Sequence, residues 1–487
     1  MSSQGRAPTK NILTNFASNT SAHGISKLTD KNGILLKLMW LLLLLGATGM
    51  IVYQVFGLIN QYKRRPVNTQ TSIENTQLTF PSVTMCNLNP VLNSEASKYN
   101  MYHVIERVAK YLNVPLSDFT NTDAAPSSDN YNFSDVNFQT DDPLDESILE
   151  FQLEMQSFSF DGLEEISQKF ESFVISCTFG GVDCDNGNFT VTFDQDYGLC
   201  YTFPSKSENQ TQGNFIFNAG PLYGLKLILN VDQNEYLPFI TTSAGVRLQI
   251  HEFGSRPYML ELGQSLSTGF ETQIGVKPVV YKRQPHPYGT CDDSGKYESV
   301  LECERNCLAT LIEDSCGCTR QQQQEDDPDL EMCGSKNIPC IKDIIKEKQS
   351  GKIKCDVACR STCRVYDFQK QVSMTRWPAN HYDPAIKFKV RKWAENFKTD
   401  VFNDENSRDN LLSINVYFSE LSLQTIEEEP AYEFASLLSD FGGQLGLWMG
   451  ISVLSICEVL ELFYLLMANC FKPRPRVSSS SVTDLKS

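Results

Sequence analysis

GGQLGLWMGISVLSICEVLELF, residues Gly442–Phe463, reads as a membrane-spanning helix interrupted by groups that hydrocarbon does not favour. Gly442, Gly443, Gly446 and Gly450 present almost no side chain, Ser452 and Ser455 add hydroxyls, and Glu458 and Glu461 add carboxylates. A charge at the centre of a lipid-facing helix costs about 2.5–3.5 kcal/mol on insertion scales, so such groups belong in a bundle interior or a water-filled cavity. An internal ion pair does not resolve the matter, because Phe441–Phe471 contains no Lys or Arg. The stretch therefore predicts a span that lines water. The bland alternative is close helix packing through Gly446 and Gly450.

A second apolar run lies near the start of the chain. Residues 38–59, LMWLLLLLGATGMIVYQVFGLI, carry no charge and only Gln54 as a strongly polar side chain. At about 1.5 Å rise per residue this run crosses a bilayer. A secretory leader would be shorter and followed by a small-residue cleavage site. Lys27, Lys31 and Lys37 precede the first run, and Lys472, Arg474 and Arg476 follow the second, which places both termini in the cytoplasm. Lys63, Arg64 and Arg65 on the opposite flank weaken that orientation, but a two-span hairpin puts everything between the spans on one side. The expected division is a cytoplasmic N-terminus over 1–37, a first transmembrane helix over 38–62, an extracellular domain over 63–430, a pre-pore segment and second transmembrane helix over 431–471, and a cytoplasmic tail over 472–487.

The cysteines agree with an extracellular middle. Of 16, fourteen lie between Cys86 and Cys363, leaving Cys457 and Cys470 in or near the membrane. An even number facing an oxidising compartment predicts a disulfide framework. In KYESVLECERNCLATLIE, residues 296–313, apolar residues recur at helical spacing with Cys303 and Cys307 on one face, and Cys355, Cys359 and Cys363 repeat that spacing. Two antiparallel helical segments would pair Cys303 with Cys359 and Cys307 with Cys355. Extending the ladder pairs Cys291 with Cys363, Cys316 with Cys340, and Cys318 with Cys333. The remaining four close most simply as Cys177–Cys184 and Cys86–Cys200, although sequence alone leaves connectivity open. A zinc reading of CxC and CxxxC is disfavoured outside the cell with no histidine cluster nearby, and no metal is expected.

Sequons at Asn132, Asn188 and Asn209 fall in the same middle and are expected to be glycosylated, whereas Asn19 lies on the cytoplasmic side. The net charge of -17 favours solubility and suits a cationic ligand more than nucleic acid. Leu412, Ile414, Val416 and Phe418 alternate with polar residues, the period of a half-buried strand, and 224–231 and 245–252 are also β-rich. Residues 93–112 look helical and 120–145 reads as an acidic loop. The economical fold is an α+β membrane protein with a central sheet and peripheral disulfide-tied helices.

Catalytic patterns are absent: there is no phosphate-cradling glycine loop, no HExxH and no nucleophile elbow. His103, His251, His286 and His381 are scattered and read as structural or solvated residues, so no enzyme and no cofactor are expected. Other stretches are more specific: His23-Gly24, LTFPSVTMCNLNP at 78–90, DQNEYLP at 232–238, LSTGFETQ, YGTC at 288–291, and AYEFASLLSDFGGQLGLWMGIS. From about His23 to Leu466 the chain resembles the degenerin and epithelial sodium channel family, and its cysteine ladder matches that family's pattern.

The resemblance implies a homo- or heterotrimer in the plasma membrane whose second spans line a sodium-selective pore blocked by amiloride. It implies Gly450, Ile451 and Ser452 as the constriction, His23 and Gly24 as a cytoplasmic gating element, and Ser439 as the small residue at the outer gate, beside Asp440. Three copies would make rings of Glu458 and Glu461. On a continuous helix Gly443, Gly446, Gly450, Cys457, Glu458 and Glu461 share an arc of about 120°, with Ser452 almost opposite. Both Gly450 and Ser452 can face one pore only if the helix breaks there, where non-helical backbone would line water. As to gating, residues 62–77 lack the histidine pair of acid-sensing relatives, and Asn234 stands where their second adjacent carboxylate would be. The chain looks most like the peptide-gated sodium channels of the Hydra type, which implies an Arg-Phe-amide neuropeptide ligand. Proton or mechanical opening is the alternative within the family, and a non-conducting cysteine-rich adhesion or receptor protein is the alternative outside it.

Overall fold

A computed structural model describes residues 9–29, 33–96, 98, 101–115, 143–155, 160–194, 196–205, 215–319, 331–355, 359–397 and 407–471. The chain divides into two compact units, one of Met1–Thr69 with Glu428–Ser487 and one of Gln70–Glu427. The Asn132 and Asn209 sequons lie outside the described residues.

In the smaller unit the first apolar run forms one helix, Ile34–Lys63, longer at both ends than the run itself. Ile51 is its one buried residue, while Leu42 and Phe56 are about two-thirds exposed at 68% and 65%. A surface that apolar is stable only against lipid or other helices. The second apolar region forms two helices, Phe434–Met449 and Val453–Phe471. Ile34–Lys63 and Val453–Phe471 are each long and apolar enough to cross a membrane. Trp448 Nε1 donates to Gln54 Oε1 at 2.8 Å, giving the polar residue of the first run a partner on Phe434–Met449. Tyr62 and Phe434 meet edge to face at 6.4 Å.

The larger unit is mixed α and β. In chain order its strands are β1 (Val67–Asn75), β2 (Leu78–Thr79), β3 (Ser82–Asn87), β4 (Val174–Phe179), β5 (Val182–Asp183), β6 (Thr190–Asp194), β7 (Gly198–Phe203), β8 (Phe215–Ile216), β9 (Leu225–Asn230), β10 (Gly245–His251), β11 (Gln264–Ser267), β12 (Phe270–Lys282), β13 (Arg364–Arg376), β14 (Leu411–Phe418) and β15 (Ser422–Pro430). One sheet orders as β1-β15-β12-β14-β9-β4-β5 with β13 also beside β12, and a second as β11-β10-β3-β7-β6. A single apolar cluster draws on both: Leu225, Leu227 and Leu229 of β9 and Ile414, Val416 and Phe418 of β14 join Val83 and Met85 of β3 and Val246 and Leu248 of β10. Each large side chain so buried contributes about 1.5–3 kcal/mol before the entropy of ordering the chain is subtracted.

The alternation in 411–418 is real, but the strand is not half-buried. Leu412, Ile414 and Val416 enter the main core, while Leu411 joins Trp377, Ile386, Val390 and Trp393 in a separate cluster around the helix Asp383–Phe397. Ser413 and Asn415 are buried too. A strand flanked on both edges and covered on both faces needs no solvent side, so its small polar residues sit inside.

All seven disulfides pair as the spacing suggests: Cys86–Cys200, Cys177–Cys184, Cys291–Cys363, Cys303–Cys359, Cys307–Cys355, Cys316–Cys340 and Cys318–Cys333. Cys86 and Cys200 are register partners across β3 and β7. The geometry behind the ladder is less uniform than two facing helices. Cys303, Cys307 and Cys316 lie on the helix Val300–Cys316, capped by the Ser299 hydroxyl, which accepts from Glu302 N. On the other side Cys359 N donates to Cys355 O, and Cys363 leads directly into β13. The helix packed on Val300–Cys316 is instead Ile338–Gln349, whose Ile338, Ile341 and Ile344 fill a small core with Ile312. Residues 93–112 split into Asn93–Ala96 and Tyr102–Leu112; of the expected acidic loop over 120–145, residues 120–142 lie outside the described residues, and 143–145 begin the helix Pro143–Met155.

Candidate functional site: the interrupted span and its N-terminal partner

The helix Phe434–Met449 ends on glycine for a conformational reason. Gly450 has φ 65° and ψ 22°, the left-handed region that other L-residues adopt at a cost. Its N–H returns to Gly446 O at 2.9 Å and Ile451 N to Leu445 O at 3.3 Å, a C-terminal cap in which orphan carbonyls are satisfied. The chain restarts two residues later. Ser452 O accepts from Ile456 N at 3.2 Å, and Ser452 N donates to Ser455 Oγ at 3.1 Å, so Ser452 occupies the first capping position of Val453–Phe471. Gly450, Ile451 and Ser452 are thus a non-helical link, and the arc drawn on a continuous helix cannot run through them. Gly443 and Gly446 belong to one helix, Cys457, Glu458 and Glu461 to the other.

The N-terminal segment occupies this link. After the helix Thr9–Asn19, His23 N donates to Met449 O at 2.9 Å. A Cβ built on Gly450 would lie 1.5 Å from His23 Nδ1, so the imidazole fills the space that a side chain would need. Gly24 follows with φ 85°, where a Cβ would meet Leu44 at 3.2 Å. Thr20 Oγ1 and Ser21 N both donate to Glu458 Oε2 at 2.9 Å, and the Ser21 and Ser455 hydroxyls are 2.6 Å apart. The sequence reading left Glu458 without a partner because it looked for a base. The partners are a hydroxyl and a peptide N–H more than 400 residues away, in the Asn19-Thr20-Ser21 sequon that was assigned to the cytoplasmic side. Glu461, one turn on, is exposed.

Ser439 and Asp440 lie inside Phe434–Met449, which begins with Glu433 as its capping residue, so Ser439 is not a helix-start serine. Both are exposed, and Asp440 Oδ2 accepts from Tyr432 OH at 2.6 Å.

In the larger unit two of the singled-out motifs form one hydrogen-bonded node. Asn87 and Asn89, from NLNP, receive Tyr236 OH at 2.9 Å and Leu237 N at 3.1 Å, while Asn89 Nδ2 donates to Glu235 O at 2.6 Å. Asp232 turns this loop with φ 53° and is buried. Burial, reinforced by the neighbouring Glu235 charge, pushes its carboxyl up to about 7. Glu235, the carboxylate next to Asn234, supplies that like charge. His251 is buried as well. Its ring contacts Thr84 Oγ1 at 2.8 Å and Ser255 Oγ at 3.0 Å, and burial lowers its pKa to about 4, which keeps it a neutral structural residue. Asn188, the one of the three expected glycosylation sites that lies among the described residues, is exposed.

Comparison with known proteins gives this arrangement its context. Residues 16–462 match the family model described as amiloride-sensitive sodium channel, and the chain belongs to that family. It is 28% identical over 477 residues to acid-sensing ion channel 4-B of Danio rerio, covering 94% of this chain and 77% of that one. It is 26% identical over 550 residues to epithelial sodium channel subunit gamma of Xenopus laevis, covering 94% and 81%. These relatives are channels and channel subunits, and the chain is a channel-family membrane protein, not an enzyme. A solved proton-activated chloride channel aligns over 88% of this chain and 98% of its own at 7% identity, but its TM-score of 0.32 carries no argument.

Proposed function

We propose that the chain is one subunit of a sodium-selective, amiloride-blocked cation channel, assembled as a homo- or heterotrimer of related subunits. In this reading it sits in the plasma membrane with both termini cytoplasmic, and an extracellular Arg-Phe-amide neuropeptide opens it. One observation carries the channel reading: backbone at Gly450–Ser452 leaves the helical path within a strongly apolar region. Non-helical backbone at membrane depth is tolerated where it is buried in protein or lines water. Around a three-fold axis the carbonyls of Gly450 and Ile451 and the Ser452 hydroxyl would replace part of the sodium hydration shell. Glu458 would then raise the local cation concentration while anchoring residues 20–21.

Peptide gating rests on the acidic chain, with a net charge of -17, and on the absence of histidine from residues 62–77. Proton opening is the second reading, and Asp232 is the observation that favours it, since a carboxyl held near 7 changes charge in the right range. Oocyte expression, alone and with related subunits, separates the two. An Arg-Phe-amide peptide applied at neutral pH should evoke an inward sodium current that amiloride blocks. A current evoked by acid and not by peptide would replace peptide with proton as the ligand, and no amiloride-sensitive current under any condition would overturn the channel reading.

A further inference from the structure

The helices Tyr102–Leu112 and Pro143–Met155 pack on a shared apolar cluster that includes Tyr102, Ile105, Phe151 and Met155. Along the edge of that contact each helix presents two polar residues four apart, the spacing that stacks side chains on one face. His103 and Arg107 come from the first helix, Glu150 and Glu154 from the second. Arg107 grips Glu150 with both guanidinium nitrogens, Nη1 to Oε2 at 2.5 Å and Nη2 to Oε1 at 3.1 Å. His103 Nε2 lies 2.9 Å from Glu154 Oε1 and 4.0 Å from Glu150 Oε1. The three ligand atoms all fall within 4.8 Å of one another.

We propose that His103 Nε2 and one carboxylate oxygen each of Glu150 and Glu154 form a site for a divalent transition metal of the zinc type. Zinc binds imidazole nitrogen and carboxylate oxygen at about 2.0–2.2 Å in tetrahedral geometry, which sets ligand atoms about 3.3 Å apart. The observed 2.9 Å and 4.0 Å bracket that value, so side-chain shifts of under about 1 Å complete the triad. Glu150 is held ready for this: its side chain is only 7% exposed, and the Arg107 fork fixes the plane of its carboxylate, the orienting role that outer-shell partners play at metal sites. His103 and Glu154 retain 19% and 22% of their side-chain exposure, which gives the ion a route in and leaves the fourth position for water. Imidazole nitrogen with two carboxylate oxygens suits zinc, nickel or cobalt better than calcium or magnesium, which prefer all-oxygen shells. The bound metal would tie one helix to the other at their polar edge.

Isothermal titration of zinc chloride into the full-length protein in detergent tests this. The expected result is one zinc per chain at micromolar affinity, weakened at least about tenfold by His103→Ala and, independently, by Glu154→Gln, and unchanged by His381→Ala. Cobalt provides a second readout: the visible bands of a tetrahedral complex should form in the unaltered protein and be lost in both ligand variants. The proposal is overturned if the unaltered protein takes up no zinc at millimolar concentration. It is equally overturned if both ligand variants bind zinc as tightly as the unaltered protein, which would leave His103–Glu154 as an ion pair only.

Discussion

Replacing Gly450 by alanine tests whether the N-terminal segment and the interrupted span form one element. The substitution imposes two costs of different origin. Holding an L-residue at φ 65° costs about 1–2 kcal/mol. The new Cβ would also sit 1.5 Å from His23 Nδ1 and 2.1 Å from Cε1, so the ring must retreat by about 2 Å to reach ordinary carbon contact. Overpacking of that kind costs about 1–3 kcal/mol. Four hydrogen bonds hold residues 20–23 in place, namely His23 N to Met449 O, Thr20 Oγ1 and Ser21 N to Glu458, and Ser21 to Ser455. At about 0.5–1.5 kcal/mol each, their sum is comparable to the combined cost, so alanine should lift the segment from the link. Current per surface-expressed channel should fall at least about tenfold, since 1.4 kcal/mol is a factor of ten. His23→Ala removes the clash but leaves the φ strain, and the double variant should therefore show a coupling above about 1 kcal/mol in thermal stability of the solubilised protein. Strictly additive effects of Gly450→Ala and His23→Ala, or a Gly450→Ala channel with unaltered current, would refute the contact.

Three further outcomes follow from separate features. For Asp232 the folded pKa of about 7 lies above the ordinary carboxylate value, so its contribution to stability is fully present below about 4 and is lost as pH rises through 7. Asp232→Asn should consequently flatten the fall in Tm between pH 5 and 8, and an identical pH profile in both proteins would count against the buried charge. Ser439→Phe places three bulky groups at the outer end of the second span in the proposed trimer, which should destabilise the closed state and give sustained current; a surface-expressed variant that stays silent would contradict the gate placement. Glu458→Gln loses the charge that Thr20 and Ser21 donate to, and single-channel conductance should fall most at low ionic strength, where screening is weakest. Equal loss at high and low salt would assign Glu458 to anchoring alone.

The sequence was most legible where covalent or solvent constraints act locally. A run without charge, and cysteines in matched spacing, report their environment directly, and the break at Gly450 was forced by requiring Gly450 and Ser452 to face one pore. Long-range partners were not legible. Nothing local to Thr20 or Ser21 announces Glu458, and nothing in NLNP announces Tyr236. Strand β12 was missed because Pro278 interrupts its pattern, and proline lacks the N–H that a ladder needs. The register explains why it is tolerated: β14 pairs with residues 271–276 and β15 with 279–282, so Pro278 falls where β12 passes from one parallel neighbour to the next. The helix Ile338–Gln349 did carry a signal in Ile338, Ile341 and Ile344, but attention to cysteine spacing assigned its place to the segment from Cys355 to Cys363.

Conduction through the link at Gly450–Ser452 is the central claim, and the reversal potential under exchange of external sodium for potassium addresses it most directly. The unaltered channel, expressed alone or with related subunits, should shift strongly negative when potassium replaces sodium, and amiloride should abolish the current. Substituting Ser452 should shrink that shift while the channel still conducts. A conducting Ser452 variant with the same sodium preference as the unaltered channel would mean that selectivity is set elsewhere and that the non-helical link is not the filter.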